Sequence, residues 1–176
     1  MPSLGRTVLV GLAVLAATLA LSPWLLPLYQ GGVRFTAQTF LPVVVPGLDV
    51  GPDGAQGWRV FRGQADGTES DILGISAKSL TQLYAGVILL PPLLAMSPLP
   101  WPRRLRLMGW GVLLLLLLQG GMLVLFLLAW THYQRTRPDS DLYTWLTLLH
   151  STAGQWAVLP VWAALTWGHW FRVRPA

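Results

Sequence analysis

Trp101-Pro102-Arg103-Arg104-Leu105-Arg106 opens the stretch that decides the fold. An apolar run over 107–129 follows it, including six consecutive leucines at 113–118. At about 1.5 Å of rise per residue, a helix of this length crosses the ~30 Å hydrocarbon core of a bilayer. The three arginines before it mark the end expected to stay in the cytoplasm, because basic flanks resist translocation. One interruption matters: Gln119-Gly120-Gly121 falls near the middle of the run. An unpaired amide in hydrocarbon is costly, so Gln119 is expected near mid-depth, facing protein or bound water.

Composition agrees with that reading. Of 176 residues, 53% are apolar and 11% charged, against about 25% charged in an ordinary soluble domain. Mean hydropathy is +0.53 and the sequence pI is near 10.5. A basic chain invites a nucleic-acid reading, but here the basic residues sit in small groups beside apolar spans, where membrane orientation requires them. There is no cysteine, which excludes disulfides, thiolate metal sites, Fe–S clusters and cysteine nucleophiles.

Outward from the central run, the chain divides into six segments. Residues 1–30 are expected to form a first transmembrane helix, a signal anchor that Pro23 and Pro27 should kink or end, with Trp24 and Tyr29 at the outer interface. Residues 31–79 form an extracytoplasmic cap. Val33, Ala37, Phe40, Leu41 and Val44 predict a short helix lying in the interface plane. Turn-dense Pro46-Gly47-Leu48-Asp49-Val50-Gly51-Pro52-Asp53-Gly54 comes next, then a small hairpin of Trp58-Arg59-Val60-Phe61-Arg62 with a returning strand at 72–75. Nothing in the cap can bury a core of its own, so it is expected to rest on the membrane or on a partner. Residues 80–130 form a transmembrane hairpin whose first arm is broken near its inner end by Pro91-Pro92. An outer loop at 131–142 leads to a fourth span over 143–170, with Pro160 inside it, and to a cytoplasmic tail at 171–176. The fold class is therefore all-α membrane protein, four transmembrane helices with a small cap.

The charges orient this arrangement. With both termini inside, the inner flanks hold Arg6, Arg103, Arg104, Arg106, Arg172 and Arg174 and no acid. The outer segments hold Arg34, Arg59, Arg62, Lys78, Arg135 and Arg137 together with Asp49, Asp53, Asp66, Glu69, Asp71, Asp139 and Asp141. Long translocated loops count for little in the positive-inside rule. Both termini are expected in the cytoplasm.

Catalytic chemistry finds little support. No predicted span contains Asp or Glu, and the one Ser beside a His, in His150-Ser151-Thr152-Ala153-Gly154, cannot pair with it, because adjacent helical side chains point about 100° apart. Neither Gly-x-Ser-x-Gly nor His-Glu-x-x-His is present. No catalytic and no metal site is assigned. A haem or bacteriochlorophyll ligand is the sharper alternative, with His132, His150 and His169 as candidates. His150 and His169 lie about 28 Å apart along a helix and cannot share one haem within the chain; His132 with His150, poorly matched in depth, and a single histidine on a pigment both stay open, with His150 as the named ligand. Against it stands a simple interhelical hydrogen bond. Small and polar residues recur at three- and four-residue spacing on the fourth span (Thr147, His150, Ser151, Gly154, Ala157, with Gln155 at the edge). With Gln119, Gly120 and Gly121 they predict close helix packing or a docking surface for a second protein.

The order of these features resembles the exosortase H-associated membrane proteins, small companions of an exosortase. The resemblance lies in Leu83-Tyr84-Ala85-Gly86 leading into Leu89-Leu90-Pro91-Pro92-Leu93-Leu94-Ala95. It lies also in the basic turn Pro102-Arg103-Arg104-Leu105-Arg106 before a leucine run with Gln119. It implies a bacterial inner-membrane accessory to a sorting transpeptidase whose nucleophile is a cysteine, which this chain lacks. The expected function is thus a non-catalytic accessory or assembly subunit of a larger integral membrane protein, without cofactor and without nucleic acid. The alternative is a small respiratory or photosynthetic subunit binding haem or pigment through His150.

Overall fold

The computed structural model describes residues 4–53, 57–63, 68–136 and 141–170. Three of its helical segments are long and apolar enough to cross a bilayer: Gly5–Val44, Lys78–Met96 and Trp101–His132.

Helix α1 (Leu4–Val44) runs unbroken for 41 residues, about 60 Å, or twice the hydrocarbon thickness. The separate interfacial helix expected in the cap is the C-terminal half of this same helix, its outer half on the expected orientation. Pro23 and Pro27 do not end it. Ser22 supplies part of the reason: its hydroxyl donates to the Leu19 carbonyl at 2.8 Å, the acceptor that Pro23, lacking an N–H, leaves open. Val33, Ala37 and Leu41, four residues apart, are fully buried, so tertiary packing holds the outer half helical. Beyond Val44 the chain reverses at Gly47, whose φ of 79° lies where a side chain would be strained.

The segment that follows holds three antiparallel strands in the order β1 (Leu48–Asp53), β2 (Gly57–Gly63) and β3 (Glu69–Ile75). The expected hairpin corresponds to β2 and β3. Strand β1 lies where the sequence predicts turn, because Pro46, Gly47, Gly51, Pro52 and Gly54 crowd it. It survives as an edge strand, the place where Pro52 does least harm. Leu48, Val50, Trp58 and Val60 form the buried face. On the outer face Arg59 reaches Glu69 at 2.8 Å and Asp71 at 3.5 Å. One face of the sheet is covered from within the chain. Its buried face joins one hydrophobic core with Ala37 and Leu41 of α1, and Gln38 donates to the Val50 carbonyl at 2.6 Å.

The second span is divided differently from expectation. Helix α2 (Ala77–Tyr84) is followed by a 3₁₀ turn over Ala85–Leu89 and by helix α3 (Leu90–Met96). Pro91 and Pro92 occupy the first turn of α3, where a missing N–H costs nothing to the helix they begin. The preceding carbonyls cannot be reached by an α-type bond, and the chain tightens there instead.

Helix α4 (Trp101–Thr136) is the leucine run, 36 residues without a break. The fourth expected span is two helices, α5 (Asp141–Trp156) and α6 (Val158–Trp170), separated at Ala157. Pro160 cannot donate to Trp156, and the break falls there. Trp162 ties α6 to α3, its indole N–H donating to the Leu93 carbonyl and to Ser97 Oγ, both at 3.1 Å. Arg172 and Arg174, with the tail 171–176, lie outside the described residues, as do Arg137, Asp139 and Asp66.

Helices α1 and α4 run side by side in the same direction. Gly32 sits against Leu116 and Gly120 against Thr36; a Cβ added to either glycine would come within 2.9 Å and 2.6 Å of that neighbour. Farther out, Val44 and Leu128 line the same crevice. The two helices therefore keep one register for several turns.

Candidate functional site

Gln119, Tyr29 and Tyr84, all buried, meet in one layer of the bundle. Gln119 on α4 is 2% exposed. Its amide oxygen accepts from the Tyr29 hydroxyl of α1 at 2.6 Å, and its amide nitrogen donates to the Gly154 carbonyl of α5 at 2.6 Å. One side chain thus joins three helices. Tyr84, at the end of α2, is fully buried. Its ring meets Tyr29 edge-on with centroids 6.3 Å apart and packs on Trp58 of β2 at 5.8 Å. The layer therefore links α1, α2, α4, α5 and the sheet. All its groups are neutral, and it contains neither a nucleophile–base pair nor a carboxylate. Its chemistry is that of a polar clamp.

Each residue singled out from the sequence has a definite place. Gln119 is the hub. Gly120 provides the close approach to Thr36, whereas Gly121, beside it, meets nothing within 4 Å and contributes no such contact. Gly154 takes part through its carbonyl. Ser151 donates to Leu148 of its own helix at 3.0 Å and makes no bond across helices. Gln155 turns its side chain outward, but its backbone carbonyl lies hard against Gly86. The side chain of Thr147 lies outside those described. The small and polar stripe is thus divided: its buried members are His150, Gly154 and Ala157.

His150 is buried and stacks on Phe126 of α4, with ring centroids 5.0 Å apart and planes 14° from parallel. Its Nδ1 has no hydrogen-bond partner. His132 is exposed near the C-terminal end of α4. Among the described residues no three of His, Cys, Asp or Glu gather as a metal site would require. An apolar groove of about 380 Å³ runs inward from Tyr29 between α1, α3 and α4, past Thr18, Leu25, Ile88, Pro91 and Val112.

Tyr29, Tyr84 and Gly86 are the residues that sequence reasoning missed as parts of one site. The sequence places Tyr29 at the outer interface as a belt residue, and only its hydroxyl hints at a fixed partner. Gly86 carries no signal in isolation; its importance lies in the backbone that crosses it.

Compared with family models, with curated proteins and with solved structures, the chain finds no match in any of the three. What the fold itself defines is a class: a membrane-associated, mostly helical protein with three helices of spanning length and a small antiparallel sheet packed on them.

Proposed function

We propose that this protein is a non-catalytic accessory subunit of a larger integral membrane protein. The observation that carries this reading is how its polar and apolar groups are distributed. Gln119 is bonded on both sides inside the bundle, while the Tyr84 hydroxyl and His150 Nδ1 are buried without a partner. Large apolar side chains remain at the surface of the outer half: Leu125, Trp145, Leu148 and Trp156 are each more than half exposed. Such a surface on a bundle that is already well tied suits association rather than turnover. In this reading α6 returns the chain toward the cytoplasmic side, both termini are cytoplasmic, and the sheet is an extracytoplasmic cap in the bacterial inner membrane. An exosortase-type sorting enzyme is the partner that the sequence resemblance suggests. Native mass spectrometry after extraction in mild detergent tests the proposal. A second polypeptide should accompany the 19.3 kDa chain; a homogeneous monomer would sink it.

A second reading rests on His150, whose buried Nδ1 lacks a partner. A haem or bacteriochlorophyll bound there would give the purified protein a Soret or near-infrared band that disappears in His150→Ala.

A further inference from the structure

Two expectations from the sequence cannot both hold. The sequence puts Tyr29 at the outer membrane surface and Gln119 at mid-depth, yet their side chains share a 2.6 Å hydrogen bond. The charges decide between them. Arg34 lies on α1 between Gly32, which rests on Leu116, and Thr36, which rests on Gly120. It is therefore level with the end of the leucine run and only partly buried. If Gln119 were at mid-depth, this guanidinium would sit near the bilayer centre, where an ionised side chain is heavily penalised. The sheet makes the same point. Its β1 strand is bonded alongside the outer half of α1 through Gln38 and Val50, its near end reaches the layer where Trp58 meets Tyr84, and its outer face carries Arg59, Glu69 and Asp71.

We infer that the bilayer ends at the Tyr29–Gln119–Gly154 layer, and that the outer halves of α1 and α4 stand above it with α5 and the sheet as an extramembrane head. Distances below the layer fit this placement. The hydrocarbon core of ~30 Å takes about 20 helical residues, which on α1 leads from Tyr29 to Leu9, with Arg6 the next charge inward. On α4 the arginines at 103, 104 and 106 lie about 20–24 Å below Gln119, within snorkelling reach of the inner surface. Between these inner arginines and the layer, the described helices carry no Asp, Glu, Lys or Arg. The groove below Tyr29 then falls at acyl-chain depth. The Tyr29, Tyr84, Trp58 and Gln119 groups fall at the interface, which favours amphipathic side chains.

The absence of cysteine makes the test direct. Single substitutions Phe40→Cys and Leu125→Cys above the layer, and Leu19→Cys and Leu113→Cys below it, replace side chains that are 48%, 60%, 52% and 44% exposed. The purified full chain is placed in nanodiscs of phosphatidylcholine and phosphatidylglycerol and treated with a sulfonated, membrane-impermeant maleimide. A thiolate does not form in hydrocarbon, so the upper pair should react at least about ten-fold faster than the lower pair. All four should react alike once denatured in SDS. Protection of Phe40→Cys or Leu125→Cys equal to that of Leu113→Cys would carry the hydrocarbon above the layer and overturn the inference. Rapid labelling of the lower pair would overturn it from the other side. Because no partner protein is present, the result is independent of the accessory-subunit reading.

Discussion

Gln119 and Gly86 carry the bundle at the scale of single residues, and they do so by different physics. Gln119 satisfies two groups on two other helices, so Gln119→Leu leaves the Tyr29 hydroxyl and the Gly154 carbonyl without their partner. A loss of about 1–2 kcal/mol is expected in equilibrium unfolding from detergent micelles. A double-mutant cycle with Tyr29→Phe should recover a favourable coupling, and a neutral Gln119→Leu would show that water replaces the amide. Gly86 acts by absence. A Cβ there would run into the Gln155 carbonyl, and backbone cannot give way without separating the helices, so Gly86→Ala should cost about 1–3 kcal/mol. Gly121 has open space around it, and Gly121→Ala should instead stabilise α4 by about 0.5–1 kcal/mol through helix propensity. The opposite signs, read in one thermal-denaturation series, separate contact from composition. Gln119 was legible because an amide in a leucine run has few explanations. Gly86 was not, since what makes it necessary is the carbonyl of a residue far along the chain.

At the scale of elements, apolar length was readable and interruption was not. Helices α1 and α4 follow from runs of leucine, valine and alanine whose backbone must be satisfied internally. Where proline intervenes, the outcome depends on neighbours. Pro23 passes through a continuous helix with Ser22 beside it, whereas Pro91 and Pro160 accompany a tightened turn and a break. Strand β1 was hidden by its turn residues and exists because β2 pairs with it and α1 covers it. That dependence is testable. Leu48 is almost wholly buried against the helix, and Leu48→Ala should cost about 2–5 kcal/mol of local stability. Hydrogen exchange should then rise in β1 and β2 while α4 stays protected; equal loosening of α4 would mean that sheet and bundle unfold together.

For the whole molecule, the charge distribution predicts orientation. A periplasm-active phosphatase fused after Ala176 should be silent. Replacing Arg103, Arg104 and Arg106 by glutamine should invert part of the population and raise its activity. Activity in the parent fusion would overturn the cytoplasmic assignment. The sequence by itself determined that the chain belongs with membranes, where its long apolar runs lie and which flanks are basic. These are local sums over consecutive residues, and no folding is needed to evaluate them. Only the tertiary structure decided which runs share a depth. Depth is a relation between helices, set where Gly32 and Gly120 let α1 and α4 approach and where Tyr29 meets Gln119, 90 positions away. That single bond places a glutamine expected at mid-depth beside a tyrosine expected at the surface. Hydropathy along one strand of sequence has no term for such a contact.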